Sequence, residues 1–207
     1  MHSELRLLVN ISGDKKSYFL ANGTESYYKK LRVAYTDIHG DKTSEYLFFG
    51  FFTLCAATLE YSLNYLLTDY CVYQFGPERY KTYAEGYINL SFYKKLTTTP
   101  HILSNGQFSI DENNSSYKTL AELITLRNRI LHNKEFLKEF DFPSLNSDDK
   151  KETIEFEIKI EPNHIETLAK DKCLTFGNAL GDFKRYIMTP WINHELSEDE
   201  MIIKTSE

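Results

Sequence analysis

Arg127, Asn128 and His132 are three side chains that together can grip a phosphate, orient it and move a proton. A guanidinium fork suits two phosphate oxygens and keeps its charge at any ordinary pH. Imidazole, with a reference pKa of about 6.5, serves as acid or base near neutrality. Asn128 is suited to orienting either the phosphate or the imidazole. Cleaving RNA by its own 2′-hydroxyl calls for groups of this kind: a base for the hydroxyl proton, an acid for the leaving oxygen, and positive charge facing the phosphorane-like transition state.

The element that must position them is a helix over residues 116–137. Projected at 100° per residue, Tyr117, Leu120, Leu123, Ile124, Ile130 and Leu131 gather on one face, and Arg127 falls near its middle. Asn128 and His132, four residues apart, lie one above the other along an edge of that face. Glu122, Thr125 and Arg129 fill the opposite side. A charge that cannot be shed, set in an apolar stripe, needs carboxylates, carbonyls, a phosphate or a subunit boundary. Two readings follow: a structural arginine paired with an acid on a neighbouring helix, or an anion site beside a titratable imidazole.

The acid is sought on a long segment over residues 44–75, apolar on most of its circumference through Leu59 and therefore expected to be the buried central helix. It carries two polar rows, Thr53, Glu60, Asn64 and Thr68 on one side and Thr58, Ser62 and Asp69 on the other. Glu60 is the candidate partner of Arg127. The sequence does not say which row faces it.

The remaining elements follow from periodicity and breakers. Leu5, Leu7, Val9 and Ile11 alternate as in a strand, and a helix from Thr24, as N-cap, to about His39 comes next. After Gly76-Pro77, a helix over residues 78–97 is expected to stop at Thr97-Thr98-Thr99-Pro100, with a polar loop over 101–115 that ends in N-cap residues for the motif helix. Ile154, Phe156, Ile158 and Ile160 alternate with charges as a second strand, whose expected partner is the amino-terminal run. A last helix from Asn163 is closed by Pro190, and residues 196–207 form an acidic tail with no visible fold.

Composition bounds the rest. The 207 residues, 42% hydrophobic, suffice for one good core. A formal charge of −6 argues against a broad basic surface for duplex DNA, while Arg127, Arg129, Lys134 and Lys138 make a local basic cluster. Cys55, Cys71 and Cys173 have no metal-ligand spacing, and no secretory signal or membrane span is visible, so a reduced cytoplasmic setting is expected. His2, His39, His101, His164 and His194 stand singly, and phosphate-binding glycine loops, His-Glu-x-x-His and Gly-x-Ser-x-Gly are missing from the sequence. No metal and no cofactor is expected.

The run Leu126-Arg127-Asn128-Arg129-Ile130-Leu131-His132-Asn133-Lys134 resembles the Arg-polar-x-x-x-His signature of the HEPN (higher eukaryotes and prokaryotes nucleotide-binding) superfamily. Its placement late on an amphipathic helix, after a long apolar helix bearing an acid, resembles that superfamily too. The resemblance covers residues 44–190 more loosely. It implies a mainly all-α, antiparallel helical bundle, with residues 1–43 and a small two-stranded β element as additions and 191–207 as the tail. It implies a metal-independent endoribonuclease, a toxin or antiphage effector, that dimerises with the motif helices facing each other. Arg127, Asn128 and His132 would then be catalytic, and Glu60, Asn64, Arg129 and Lys134 supporting. Lys134 stands where members modified by a partner nucleotidyltransferase carry tyrosine, a departure that puts that subtype in doubt.

The expected partners are RNA, a second copy of the chain and, for a toxin, an antitoxin or other regulatory protein. Two alternatives compete. In one, the chain is a non-catalytic helical module in which Arg127 and Asn128 fix a dimer or bind a nucleotide or RNA. In the other, it is a plain monomeric bundle with an internal ion pair.

Overall fold

The computed structural model describes residues 4–8, 18–40, 44–131, 167–192 and 203–205. The elements run β1 (Glu4–Leu8), β2 (Tyr18–Asn22), α1 (Thr24–His39), α2 (Glu45–Phe75), α3 (Tyr80–Ile88), α4 (Phe92–Leu103), β3 (Phe108–Ile110), α5 (Ser115–Leu131), α6 (Lys170–Phe183), a π-helical turn (Lys184–Met188), α7 (Thr189–Ile192) and β4 (Ile203–Thr205). The fold is mainly helical.

α2, 31 residues and roughly 46 Å long, is the axis. By length and apolarity it would pass for a membrane span. Here α1, α3, α4, α5 and α6 all pack on it. Phe52, Leu59, Leu63 and Leu66 are fully buried among Leu96 of α4, Leu120 and Leu123 of α5, and Phe176 and Leu180 of α6. α1, set apart with the first 43 residues by the sequence reading, contributes Tyr28, Leu31 and Ile38 to the same core. Gly76 ends α2 at φ 78°, where a Cβ would be strained, and returns its N–H to the Val72 carbonyl.

Several expectations are corrected. Thr24 is the first residue of α1, not its cap: Gly23 holds that position, and the Asn22 amide oxygen accepts the Thr24 N–H at 2.9 Å. The helix expected over 78–97 is two, parted at residues 89–91, where Ser91 caps α4 by accepting the Lys94 N–H. α4 then runs through Pro100 to Leu103. The proline ring forgoes only the bond to the Leu96 carbonyl, near the end of the helix where little of the ladder remains.

The expected polar loop therefore starts later and contains β3, which pairs antiparallel with β4 in what was read as a structureless tail. β1 pairs antiparallel with β2, Glu4 opposite Asn22 and Leu8 opposite Tyr18, within the amino-terminal segment. The strand expected over 154–160 lies outside the described residues. Pro190 does not close the last helix: α6 widens into the π turn and the chain stays helical through Ile192.

Candidate functional site

α5 starts at a cap the sequence foretold, with the Asn114 amide oxygen accepting the N–H groups of Ser116 and Tyr117 at 2.8 and 3.2 Å. Its core-facing stripe holds Tyr117, Leu120, Leu123 and Ile124, all buried. One turn beyond Ile124 the stripe reaches Arg127, and past it Leu131 is 44% exposed. Arg127 thus stands where the packed part of the helix face gives way to solvent.

The Arg127 side chain is 23% exposed and that of Glu60 on α2 is 35% exposed, with Nη2 and Oε2 3.5 Å apart. This is a loose, half-solvated pair. The other terminal nitrogen, Nη1, donates to the Asn128 amide oxygen at 3.0 Å. The guanidinium carbon lies 5.8 Å from the centroid of the Phe92 ring at the start of α4, an aromatic face that favours a cation. Asn64, one turn after Glu60 on α2, accepts a 2.8 Å hydrogen bond from Lys95 Nζ of α4. The row of α2 that faces the motif helix is therefore that of Glu60 and Asn64.

The opposite row is sealed and structural. Thr58 and Ser62 bond back to the carbonyls of Leu54 and Thr58, and Asp69 accepts the Trp191 indole N–H at 3.0 Å. Arg129 is exposed and about 160° round α5 from Arg127, so it does not join the cluster. His132 and Lys134 lie outside the described residues, as does Lys138.

Lys95 is the functional candidate that sequence reasoning missed. It is only 4% exposed, and burial lowers its pKa from the ordinary lysine value while the Glu60 charge opposes the shift. The signal was present: Phe92, Leu96, Thr99 and Leu103 form the buried face of α4, and Lys95 projects onto it as Arg127 does on α5. Splitting the 78–97 segment at Ser91 would have exposed it.

The cluster sets two cations, Arg127 and Lys95, against one carboxylate, Glu60, and each cation also donates to an amide, Asn128 and Asn64 respectively. A surplus positive charge beside an aromatic face can hold an anion such as a phosphodiester. The cysteines offer no nucleophile: Cys55, Cys71 and Cys173 are buried free thiols, and burial raises each thiol pKa, that of Cys173 to about 11. Among the described residues no group of His, Cys, Asp and Glu is gathered as a metal site. No family model matches the chain, and neither a curated protein nor a solved structure matches it.

Proposed function

We propose that the chain is a metal-independent endoribonuclease of HEPN type, built on an antiparallel HEPN-like bundle and acting as a homodimer in the cytoplasm, as a toxin or antiphage effector. One observation carries the reading: the motif arginine sits at the open end of a core-facing stripe, held by Asn128 and only loosely by Glu60. A half-solvated pair at 3.5 Å yields to a phosphate far more readily than a sealed one does. The exposed Leu131 just beyond it gives a second copy an apolar surface to cover.

In this reading the Arg127 fork takes two oxygens of the scissile phosphate and Asn128 orients it. His132, four positions on in the sequence, handles the proton of the 2′-hydroxyl or of the leaving 5′-oxygen, and the second protomer supplies the other histidine. The 2′-oxygen attacks phosphorus and the bond to the 5′-oxygen breaks, which leaves a 2′,3′-cyclic phosphate and a 5′-hydroxyl. The test is to incubate wild type, Arg127→Ala and His132→Ala with RNA in chelator and to analyse the ends. Cutting to cyclic phosphate by wild type, abolished in both variants, supports the reading; undiminished cutting in either variant removes it.

The Glu60 contact favours one second reading, a non-catalytic module in which the Arg127–Glu60 pair and Asn128 fix a dimer or bind RNA or a nucleotide. That reading predicts RNA or nucleotide binding without cleavage. An antitoxin or regulatory protein belongs only to the first.

A further inference from the structure

A groove of about 670 Å³ lies between α1 and the junction of α6 with the π turn, in a part of the molecule the motif does not use. Its apolar wall comes from Tyr28, Leu31 and Tyr35 of α1. Gly177 and Gly181, four apart on α6, also line it, and they differ. A Cβ on Gly177 would stand 2.7 Å from the Tyr35 ring, so Gly177 is there to let α1 approach; a Cβ on Gly181 would meet nothing within 4 Å. The bare surface at Gly181 is not explained by packing.

The rim is cationic although the chain carries a net −6. Lys184 is already engaged, by Glu25 and by the Tyr28 ring 4.8 Å away. Asp182 is engaged too, as acceptor of the Ser116 hydroxyl. Two guanidiniums at the rim are exposed. Arg32 is exposed with no ion-pair or hydrogen-bond acceptor for its side chain among the described residues, and Arg185, also exposed, is hydrogen-bonded to Tyr186 and feels the Asp182 charge, with no ion pair at contact distance among the described residues. The π turn brings Lys184, Arg185 and Thr189 to the same rim. Such wide turns recur at functional sites.

We propose that this groove binds a small phosphate monoester with a planar or apolar body, its phosphate gripped by Arg32 and Arg185 and its body laid along Tyr28, Leu31 and the bare backbone at Gly181. Two exposed guanidinium forks match a dianionic phosphate better than a carboxylate. The volume falls in the range of about 300–1,000 Å³ usual for small-molecule sites, too small for a length of polymer. Asn178, whose amide oxygen is held by the Tyr35 hydroxyl at 3.0 Å, presents its NH₂ as a fixed donor at the rim. The inference rests on the groove alone and is independent of the ribonuclease reading.

The experiment is calorimetric titration of the full chain with phenyl phosphate, AMP and FMN, and separately with phenol, adenosine, riboflavin and inorganic phosphate. At least one monoester should bind at one per chain, with its dephosphorylated partner and inorganic phosphate each weaker by about tenfold or more. Arg32→Ala and Arg185→Ala, both exposed positions, should each weaken that binding by about tenfold. Gly181→Leu, whose Cβ meets nothing within 4 Å and whose side chain would occupy the groove, should abolish it while the melting temperature holds or rises. No saturable binding by any of the three monoesters, equal binding by the dephosphorylated forms, or binding unchanged in Gly181→Leu overturns the proposal.

Discussion

Lys95 Nζ donates to Asn64 Oδ1 at 2.8 Å, tying a nearly buried cation to the same row of α2 that carries Glu60. The bond matters because burial makes the ammonium costly and the Glu60 charge recovers only part of that cost. In the folded protein Lys95 therefore gives up its proton below 10.5, the value it would have unfolded. Between the two values the unfolded chain binds more protons, so this group's contribution to stability rises with pH across the window just below 10.5 and is lost as pH falls through the folded value. Buried tyrosines act the other way above 10.0, since desolvation raises the Tyr28 and Tyr117 phenols. The expected outcome is that the difference in stability between wild type and Lys95→Met, from urea denaturation at a series of alkaline pH values, shifts toward wild type as pH rises. A difference flat with pH would contradict a depressed Lys95.

The Arg127–Glu60 pair is expected to be worth little to the fold. Its partners are partly exposed and 3.5 Å apart. Glu60→Gln should cost less than about 1 kcal/mol by denaturation. It should also tighten binding of a non-cleavable RNA by about fivefold, the size of effect expected from ~1 kcal/mol between unit charges at contact distance in water-like surroundings. A large loss of stability would instead mean that the pair is structural.

Leu131 continues the core-facing stripe of α5 beyond its neighbours and is 44% exposed. If a second protomer covers it, Leu131→Asp should turn a dimer into a monomer on light scattering without lowering the monomer's helix content by circular dichroism. Dimers that survive the aspartate would place the interface elsewhere.

The parts of this architecture legible in the sequence are those fixed by local pattern. α2 announced itself by an apolar run that Gly76 stops, and α5 by the Asn114 cap and its stripe. Arg127 was legible as a charge on an otherwise apolar face, and Glu60 as the acid in one of the two polar rows of α2. Which row of α2 met α5 was not, because a helix apolar on nearly every side carries no directional signal, and only packing chooses. β3 and β4 were illegible for a related reason: three-residue strands are held by partners far away in sequence, and Phe108 opposite Thr205 leaves no local trace. Lys95 was lost because Ser91, a cap, was read as the interior of a helix.

The Trp191 indole reaches back from α7 to Asp69 on α2 in a buried 3.0 Å hydrogen bond, anchoring the end of the helical run to the central helix. Trp191→Phe keeps much of the packing but removes one donor to a buried carboxylate. It should cost about 1–3 kcal/mol by urea denaturation followed by circular dichroism. Because the chain has one tryptophan, the fluorescence of wild type reports this docking directly. A fluorescence transition coincident with the loss of helix would show that α7 unfolds with the core.

Gly177 and Gly181 offer a controlled comparison, since both are one residue type on one helix, four positions apart. Each Gly→Ala change gains up to about 1 kcal/mol from helix propensity. At Gly177 the new methyl would meet the Tyr35 ring at 2.7 Å and Phe51 at 3.1 Å. Tyr35 is held by Asn178 and packs on Phe51, so it has little freedom to retreat, and overpacking of this kind typically costs about 1–3 kcal/mol. Gly177→Ala should therefore lower the melting temperature. At Gly181 nothing opposes the methyl, and Gly181→Ala should hold or raise it. The order of the two variants is the decisive quantity, because propensity cancels between them and only the distance between α1 and α6 remains. Equal melting temperatures would mean that α1 does not approach α6 as closely as described, and with it the wall of the phosphate-monoester groove would be lost.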